Sequence, residues 1–498
     1  MKKLFVLITV LLTALFFARV SFAATYYVST NGNDNNLGTL SAPWRTIQKA
    51  ANTISAGDTV YIRGGTYRES ATFSASGTET NPIIVTNYGN ETVIIDGNNY
   101  SIGGLYRGLI EVRGSWYTIS NLEITKASDN GIGVTGTHVT VDNIYSHHNW
   151  GSGILLQGDY DTAQNCRAWA NSLINERGTM SGSWGLGITC GRYPTHCTIR
   201  KSTAWDNWGE GISTFEATYT TIEDNIAYNN IQNIYVSDTK YTVARRNLLY
   251  CTPGNIVGSY VSSQQGILVG DEKYNPASSD NLIINNLVMG CDRNLAAGTT
   301  ESANNLYAYN TFVNSNRDDL ANVYFYEGTC SNCRFTNNLV LQENSIPTTF
   351  NGGSGVTFSN NLWSKTPPSA ASGTGDVIGD SKLAKSGPTG AGQLTSEWFK
   401  ILSTSPAINK AKVISEVTED FFKTARGASP DIGAYEYVSD ATPKGDVNGD
   451  GAVNILDVQK LVNIILGIDQ VTSSADVNKD GSVNILDVQQ VVNIILGV

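Results

Sequence analysis

The sharpest chemical pattern of the sequence lies near its C-terminal end, where acidic and amide residues recur twice at the same spacing. Oxygen donors at positions 1, 3, 5, 7, 9 and 12 of a loop, with glycine at position 6, are what Ca²⁺ requires of an EF-hand-like loop. An apolar helix is expected after each loop, over residues 458–466 and 488–496. The predicted calcium ligands are Asp446, Asn448, Asp450, Ala452, Asn454 and Asp457 in the first loop, and Asp476, Asn478, Asp480, Ser482, Asn484 and Asp487 in the second.

A second set of acidic residues falls in the middle of the chain. Short runs there begin with Gly-Ile or Asn-Ile, and the fifth residue after three successive starts is Glu216, Asp238 or Asp271. Stacked parallel strands would place these carboxylates one above another, about 4.8 Å apart. Like charges at that spacing bind a cation, pair with a lysine or have a raised pKa. The charged residues that flank this column are Glu210, Glu272, Lys240 and Lys273.

Two reactions could use such a cluster. In a polysaccharide lyase, a further calcium ion in the groove would hold a uronate carboxylate while a lysine or arginine removes the neighbouring proton. In a glycoside hydrolase, one carboxylic acid would protonate the leaving oxygen and a second carboxylate would act as base or nucleophile. The candidate catalytic residues are Glu210, Asp238, Asp271, Glu272 and Lys273.

Aromatic residues in the same region could bind sugar rings. They are Trp150, Trp184, Trp205, Trp208 and Tyr235, of which Trp208 and Tyr235 are the preferred candidates for substrate binding. The alternative to an enzyme is a non-catalytic carbohydrate-binding or adhesive scaffold, on which the acidic column is a solvated ladder.

The sequence around these residues repeats about every 22 residues, which indicates a regular array of short elements that position them. Runs of β-forming residues end in asparagine, as at Asn121, Asn143, Asn225 and Asn247, and Gly-Ile pairs keep the same step. Such spacing fits coils of three short parallel strands, whose apolar faces are buried only when coils stack. We therefore predict an all-β parallel β-helix of about ten coils between residues 80 and 365, with asparagines stacked at the turns.

The two ends of the solenoid need covers. The segment from Pro43 to Ile54 is predicted to form a short amphipathic helix over the N-terminal end, with Ile47, Ala50 and Ala51 facing inward. Residues 366–437 lose the repeat and are expected to close the far end. A linker over 438–444 then leads to the calcium module at 445–498.

The first 23 residues are typical of an export signal. Lys2 and Lys3 precede an apolar run from Leu4 to Phe17, and Ser21-Phe22-Ala23 offers small residues for cleavage before Ala24. The apolar run is short for a bilayer, which takes about 20 residues, and no later segment is apolar enough to cross one. The sequence therefore predicts a secreted protein without a membrane span.

The net charge limits the possible binding partners, and the cysteine content limits the possible disulfides. The formal net charge of −11 argues against nucleic-acid binding, which needs a local excess of Lys and Arg. A polyuronate would be repelled overall unless calcium or a local basic patch mediates the contact. The seven cysteines leave at least one thiol unpaired within the chain, and Cys330-x-x-Cys333 fits a local disulfide or simple packing.

Two stretches of sequence resemble a known family. The run from Tyr26 to Asp34, with Gly64-Gly65-Thr66-Tyr67, is similar to the opening of secreted right-handed β-helix proteins, including the family-nine pectate lyases. The segment from Ala425 to Glu436 resembles the tail of the same group. The resemblance implies that fold over 24–437, and for the lyases a calcium-binding acidic cluster with a lysine base. Here Glu210 is the one retained acid, and the segment matching the base, Gly266 to Gly270, has no lysine.

The duplicated loop-helix unit, with Asp rather than Glu at position 12, resembles type I dockerins. Dockerins fold on calcium and bind cohesins, so the resemblance implies two calcium ions in this module and a cohesin-type partner. Positions 10 and 11 are Ile455-Leu456 and Ile485-Leu486, where cellulosomal dockerins usually have small hydroxyl residues. This departure implies a divergent cohesin or docking on the protein itself. Together the two resemblances imply an extracellular polysaccharide-degrading enzyme that is tethered through its dockerin.

Overall fold

The computed structural model describes residues 23–98, 107–173, 184–261, 263–272, 277–298, 302–317, 320–438, 443–472 and 474–497. The predicted signal peptide, apart from Ala23, lies outside the described residues, as do Lys273 and most of the linker. The chain divides into two compact units, Met1–Glu436 and Tyr437–Val498.

The first unit is built from three parallel sheets, which confirms the predicted parallel β-helix. The first sheet has 13 described strands: β1 (Thr25–Val28), β2 (Thr59–Ile62), β5 (Ile83–Asn87), β8 (Tyr117–Ser120), β11 (Val139–Asp142), β14 (Thr162–Gln164), β17 (Thr198–Arg200), β20 (Thr221–Glu223), β23 (Val243–Arg245), β26 (Leu282–Ile284), β29 (Leu306–Ala308), β32 (Thr329–Thr336) and β35 (Ser354–Ser359).

The second sheet has 11 described strands, and all but β4 lie between residues 80 and 365. They are β4 (Ala71–Phe73), β7 (Gly108–Val112), β10 (Asn130–Val134), β13 (Ile154–Leu156), β16 (Ile188–Gly191), β19 (Glu210–Phe215), β22 (Gln232–Ser237), β25 (Gln265–Gly270), β28 (Arg293–Ala297), β31 (Val323–Phe325) and β34 (Thr349–Asn351). The predicted number of coils is therefore confirmed.

The third sheet has 13 described strands: β3 (Gly65–Tyr67), β6 (Val93–Asp96), β9 (Glu123–Thr125), β12 (Tyr145–His147), β15 (Arg167–Trp169), β18 (Thr203–Trp205), β21 (Ile226–Tyr228), β24 (Leu248–Tyr250), β27 (Leu287–Met289), β30 (Thr311–Val313), β33 (Leu339–Leu341), β36 (Leu362–Trp363) and β37 (Val377–Ile378). Short 3₁₀ helices in the described part of the chain lie at Val257–Ser259, Ser369–Ala371 and Ser396–Phe399.

The core of the β-helix consists of aliphatic columns that run from coil to coil. Ile154 pairs in register with Ile188, and Ile188 with Ile212, and all three are fully buried. Burying each such side chain contributes roughly 1.5–3 kcal/mol. A coil in isolation would expose this surface, so the stack is stable only as a whole.

The glycine of several Gly-Ile pairs, such as Gly211-Ile212, leaves room for a buried asparagine ladder. The side-chain amide of Asn171 donates to Asn207, and that of Asn207 donates to Asn230, at 2.9 Å each. A Cβ atom added to Gly211 would lie 2.4 Å from Nδ2 of Asn230. Glycine is required there because the ladder passes so close to the backbone.

The asparagines that end the β-type runs belong to two adjacent columns, a distinction that the sequence pattern did not make. Asn121 and Asn143 are exposed, with φ of 60° and 51°. Asn225 and Asn247 lie one position later in the coil, are buried, and form a second ladder in which Asn225 donates to Asn247 at 3.0 Å. Left-handed turns and buried ladders both favour asparagine, so the sequence pattern alone merges them.

The N-terminal end of the solenoid is covered by helix α1 (Ile47–Ala51), with Ile47 and Ala50 fully buried. The helix begins at Ile47 rather than near Pro43, because the Thr46 side chain caps it by accepting from the Lys49 amide at 3.1 Å.

The C-terminal part of the first unit packs back along the coils. Arg426 lies 3.9 Å from the Tyr309 ring centroid and pairs with Glu436 at 2.9 Å. The buried guanidinium of Arg426 thus holds the C-terminal tail against the coils, through a cation–π contact with Tyr309 and an ion pair with Glu436.

Six of the seven cysteines form disulfides in the first unit: Cys190–Cys197, Cys251–Cys291 and Cys330–Cys333. Cys166 is a buried free thiol. The structure therefore confirms two expectations: one of the seven cysteines is unpaired, and Cys330 and Cys333 form a local disulfide.

The second unit contains helices α2 (Ile455–Ile465) and α3 (Ile485–Leu496), packed around Leu461, Ala475 and Val491. Each helix starts three residues earlier than predicted, because Asn454 and Asn484 cap the first turn. Among the described residues, no helix has the length and apolar character needed to cross a membrane.

Candidate functional site

A cavity of about 700 Å³ opens on the outer face of the second sheet. Its walls combine aromatic and charged side chains. The principal lining residues are Trp150, Trp184, Tyr235, Arg192, Glu210 and Glu272. A cavity of this size and composition fits a sugar-binding cleft better than a simple packing defect.

The register of the second sheet explains which side chains reach the cavity. One row of stacked side chains occupies the position two residues before the inward-facing aliphatic residue of each strand. It includes Ser152, Glu210 and Gln232. A second row stands one position after that aliphatic residue and includes Ser213 and Tyr235. Parallel pairing stacks each row at about 4.8 Å per strand, so neighbouring coils build one continuous surface.

Glu210, at the start of β19, is the central group of the cavity. Its side chain is buried, and Oε1 accepts a hydrogen bond from Nε1 of Trp184 at 2.7 Å. Within the described part of the chain, Oε2 has no hydrogen-bond partner. Burial raises the pKa of Glu210 to about 8, the Trp184 bond opposes this rise, and the charge of Glu272 adds to it. Glu210 therefore keeps its proton at neutral pH.

Glu272 lies on the same wall and is oriented by its neighbours. The Tyr235 hydroxyl donates to Oε1 of Glu272 at 3.0 Å. Burial raises the pKa of Tyr235 far above its ordinary value, so this phenol remains a donor. The backbone amide of Glu272 donates to Oδ2 of Asp238 at 3.1 Å. A protonated carboxyl and an exposed, oriented carboxyl thus share one cavity.

The acidic column predicted from the sequence is present in register but lies outside the cavity lining. Phe215 pairs with Ser237, and Ser237 with Gly270, so the next residues in each strand, Glu216, Asp238 and Asp271, follow the same register. The Tyr193 hydroxyl donates to Glu216 at 3.0 Å.

Asp238 is fully buried and accepts from the Ser237 hydroxyl at 2.7 Å as well as from the Glu272 amide. These contacts give Asp238 a role in positioning Glu272. The catalytic roles assigned to Asp238 and Asp271 stay predictions, and Lys273 lies outside the described residues.

Of the aromatic residues predicted to bind sugar, some line the cavity and others do not. Tyr235 and Trp184 line the cavity, whereas Trp208 is half-buried beside it and is absent from its lining. The ring of Trp205 is stacked between Trp169 and Tyr228, at 4.8 and 5.9 Å, so neighbouring rings take both of its faces.

Sequence reasoning did not single out several lining residues. They are Asp129, Arg192, Phe215 and Gln232. Gln232 could have been found from its spacing, since it stands two positions before Ile234, as Glu210 stands before Ile212.

The C-terminal loops have the features of calcium-binding loops. Asp446 accepts from the amides of Gly449 and Gly451 at 2.8 Å each, and Gly451 has φ of 86° at the sharp turn. Asp457 is fully buried and accepts from the Val447 amide at 2.8 Å. Carboxylate oxygens gathered around a sharp glycine turn are the type of ligand that a hard cation such as Ca²⁺ takes in EF-hand loops.

The second loop is built in the same way. Asp476 accepts from the Gly481 amide at 2.9 Å, and buried Asp487 accepts from the Val477 amide at 2.8 Å. Asn454 and Asn484 use their side-chain oxygens to accept from Leu456 and Leu486 at 2.8 Å, so their predicted role as ligands stays a prediction.

Across the residues that the structure describes, no three Asp, Glu, His or Cys side chains converge closely enough to hold a metal ion by themselves. In loops of the EF-hand type, amide and carbonyl oxygens supply part of the ligand set, so the calcium ligands predicted for the two C-terminal loops stay predictions. A further calcium ion in the groove of the β-helix stays a prediction.

The two helices of the C-terminal unit present matching apolar residues to solvent. Ile455 and Leu456 at the start of α2 are largely exposed, as are Ile485 and Leu486 at the start of α3. Exposed aliphatic pairs on so small a unit are typical of an interaction surface.

Comparisons with known proteins give two family matches. Residues 26–318 match the Pel9A-like right-handed β-helix region, and residues 444–496 match the dockerin type I domain. Pectate lyase L of Dickeya chrysanthemi is 25% identical, over 84% of this chain and 91% of its own length. Pectate lyase PEL9 of Emericella nidulans is 27% identical, over 42% of this chain and 58% of its own length.

The solved structure of pectate lyase Pel9A covers 84% of this chain and 98% of its own, with 20% identity and a TM-score of 0.50. This likeness concerns the fold. Since the first family match takes in more than half of the chain, the protein belongs to the Pel9A-like right-handed β-helix family and carries a type I dockerin domain at its C-terminal end.

Proposed function

We propose that the protein is an extracellular enzyme that cleaves the glycosidic bonds of a polysaccharide in the cavity of the second sheet. The observation that carries the proposal is Glu210, a buried carboxyl with a pKa of about 8 that one tryptophan N–H orients. The relatives named pectate lyases support polysaccharide as the substrate class.

Glu210 is the proton donor in this proposal. Its acid proton passes to the glycosidic oxygen as the bond from that oxygen to the sugar carbon breaks, so the leaving group departs as a neutral hydroxyl. Trp184 fixes one carboxyl oxygen at 2.7 Å and leaves the other for the substrate. Such proton transfer contributes typically 10²–10⁴-fold to a rate.

Hydrolysis is the first candidate for the rest of the reaction. Glu272, held by Tyr235, would take a proton from an attacking water or attack the sugar carbon itself. The neutral Glu210 and the neighbouring Glu272 divide the acid and base roles between two carboxyl groups in different environments.

Elimination is the second candidate, which membership in the Pel9A-like family favours. Glu210 would again protonate the leaving oxygen, and a separate base would remove the proton beside the uronate carboxylate. Arg192, which lines the cavity, would neutralise that carboxylate.

Product analysis separates the two candidates. The full chain is incubated with pectate, alginate, xylan and glucan, and reducing ends are measured together with the ultraviolet absorbance of unsaturated uronate. Reducing ends without absorbance are expected from hydrolysis, whereas both signals together would establish elimination. The absence of both signals on every polymer would favour a binding scaffold.

The dockerin domain supplies attachment in this proposal. Two calcium ions, one in each loop, would fix the loops and the helices that follow them. The exposed Ile455-Leu456 and Ile485-Leu486 pairs would then contact an apolar face of a cohesin-type partner. Export through the N-terminal signal would place both units outside the cell.

A further inference from the structure

The cavity of the second sheet has a floor of uncharged side chains. They are the outward residues of neighbouring strands that pair in register, and each of them lines the cavity. In order along the solenoid they are Leu155, Thr189, Ser213, Tyr235 and Leu268. Four strand spacings of about 4.8 Å make this floor about 19 Å long. Hydroxyl groups lie at its centre and aliphatic side chains at both ends.

The hydroxyl groups at the centre of the floor are matched to an alcohol. Ser213 donates to Oγ1 of Thr189 at 2.9 Å, and Tyr235 donates to Oε1 of Glu272 at 3.0 Å. Because both protons are engaged, what Ser213 and Tyr235 offer a ligand is oxygen lone pairs. A sugar hydroxyl can donate to these lone pairs, whereas an ionised carboxylate only accepts hydrogen bonds.

The walls beside the floor are largely apolar. They include Trp150, Trp184, Leu186 and Phe215, and Trp184 is 51% exposed. Aromatic and aliphatic side chains pack against the C–H groups of a sugar ring, as they do against the apolar parts of other ligands. A carboxylate on the same surface would lose its water without gaining a counter-charge.

Among the described lining residues, carboxyl groups outnumber cations. The acids are Asp129, Glu210 and Glu272, and the cation is Arg192. Arg192 stands in register with Glu216 of the next strand, because the residues before them, Gly191 and Phe215, pair. An acid is thus already next to this cation in the sheet. The charges of the cavity therefore disfavour an anionic sugar.

We propose that the cavity takes an uncharged glycan, whose hydroxyl groups donate to the floor and whose C–H faces pack on the walls. The inference rests on the proposed function, since it names the substrate class of the same site. Of the two candidate reactions, an uncharged glycan permits hydrolysis alone, because elimination needs a carboxylate beside the carbon that loses its proton. A neutral chain also escapes the general repulsion between a net charge of −11 and an acidic polymer.

The test compares neutral oligosaccharides with acidic counterparts of the same chain. The full chain with Glu210→Gln, which slows turnover, is titrated calorimetrically with cello-, manno-, galacto- and xylo-oligosaccharides. Each of the first three is paired with its form oxidised to the uronate at C6, and the last with a glucuronosyl-branched form. We expect at least one neutral oligomer to bind about tenfold more tightly than its acidic counterpart, or better.

Leu268→Lys places a cation on the floor beside Tyr235 and should reverse part of that preference. We expect the ratio of neutral to acidic affinity to fall by about tenfold. Ile226→Lys is the matched control, since Ile226 is an exposed aliphatic residue of the third sheet, and its ratio should equal that of the parent.

Glu272→Gln provides a second variant in case Leu268→Lys does not fold. Glu272 is exposed, and its replacement removes a negative charge from the cavity while an oxygen remains to accept from Tyr235. Binding of the acidic oligomer should therefore strengthen several-fold, and binding of the neutral oligomer should change less.

Several results would overturn the uncharged glycan. They are an absence of binding by every neutral oligomer, equal or tighter binding of the acidic counterparts, or the same affinity ratio in Leu268→Lys and Ile226→Lys. Neutral-selective binding by a wild-type chain that releases no reducing ends would support the ligand class and refute the proposed cleavage. Release of unsaturated uronate from an acidic polymer would uphold cleavage and overturn the ligand class.

Discussion

At the scale of single residues, the account depends on how burial controls one proton. Burial removes Glu210 from solvent and raises its pKa to about 8, and hydrogen bonds from Trp184 and from the backbone amide of Glu210 offset this rise only in part. A general acid is most effective when its pKa lies near the working pH. Glu210 is therefore an acid suited to neutral conditions.

The pH dependence of activity follows from that proton. Because the acid form of Glu210 is required, the rate should fall as pH rises through about 8. Trp184→Phe removes a hydrogen bond that lowers the pKa of Glu210, so the alkaline fall should move to higher pH, with a lower maximal rate. The measurement is kcat/KM against pH for both proteins.

Trp398→Phe is the matched control, since Trp398 is a buried tryptophan of the closing segment. Its alkaline fall should stay where the parent has it. A shift of the Trp184→Phe profile to lower pH would contradict the assigned cause.

At the scale of elements, the asparagine ladders hold the coils in register. Asn247 is fully buried, its Nδ2 donates to Ile222 and Asn286 at 3.0 and 2.9 Å, and its Oδ1 accepts from Asn225 at 3.0 Å. Asn247→Ala leaves the partners of Asn247 as buried polar groups without a hydrogen bond, and each such group destabilises the fold by about 1–3 kcal/mol. The free energy of unfolding should therefore fall by about 3 kcal/mol or more, as measured by chemical denaturation.

Asn143→Gly is the control for that variant. Asn143 is exposed with φ of 51°, a conformation that glycine adopts readily, so its stability should change little. Equal losses in the two variants would show that the buried ladder has no special role.

The sequence was sufficient to predict the stacked coils, but not the exact register of individual side chains within them. A repeat of about 22 residues predicts stacked coils, because only stacking buries the Gly-Ile positions. It does not separate Asn143, which needs a left-handed turn, from Asn247, which needs buried partners one position later. Glu210 was singled out because it flanks the acidic column and is the one acid that the family resemblance retains. Its contact with Trp184 could not be predicted, because the segment before Trp184 has no periodic sequence signal.

At the scale of the whole molecule, the two units differ in what stabilises them. The β-helix has a core that extends through all of its coils, whereas the dockerin core is small and centres on Leu461, Ala475 and Val491. Small domains usually need a metal or disulfides in addition to such a core. The dockerin sequence contains no cysteine, so calcium in its two loops is the stabilising element that we expect.

Calcium removal should therefore unfold one unit and spare the other. A chelator is expected to abolish the helical circular dichroism of α2 and α3 and the binding of a cohesin panel, while the melting transition of the β-helix persists. Asp457→Ala combined with Asp487→Ala should have the same effect in the presence of calcium. An unchanged helical signal in chelator would contradict the calcium assignment of the loops.

The most direct test of the central claim compares two buried glutamates at β19. The release of reducing ends from the polymer that the wild type degrades best is measured for Glu210→Gln and for Glu216→Gln, whose carboxyl contacts Tyr193 outside the cavity. The account predicts that Glu210→Gln loses about 10²–10⁴-fold in rate with its substrate binding retained, while Glu216→Gln stays within a few-fold of wild type. Equal activity in Glu210→Gln and wild type would contradict the assignment of Glu210 as the proton donor.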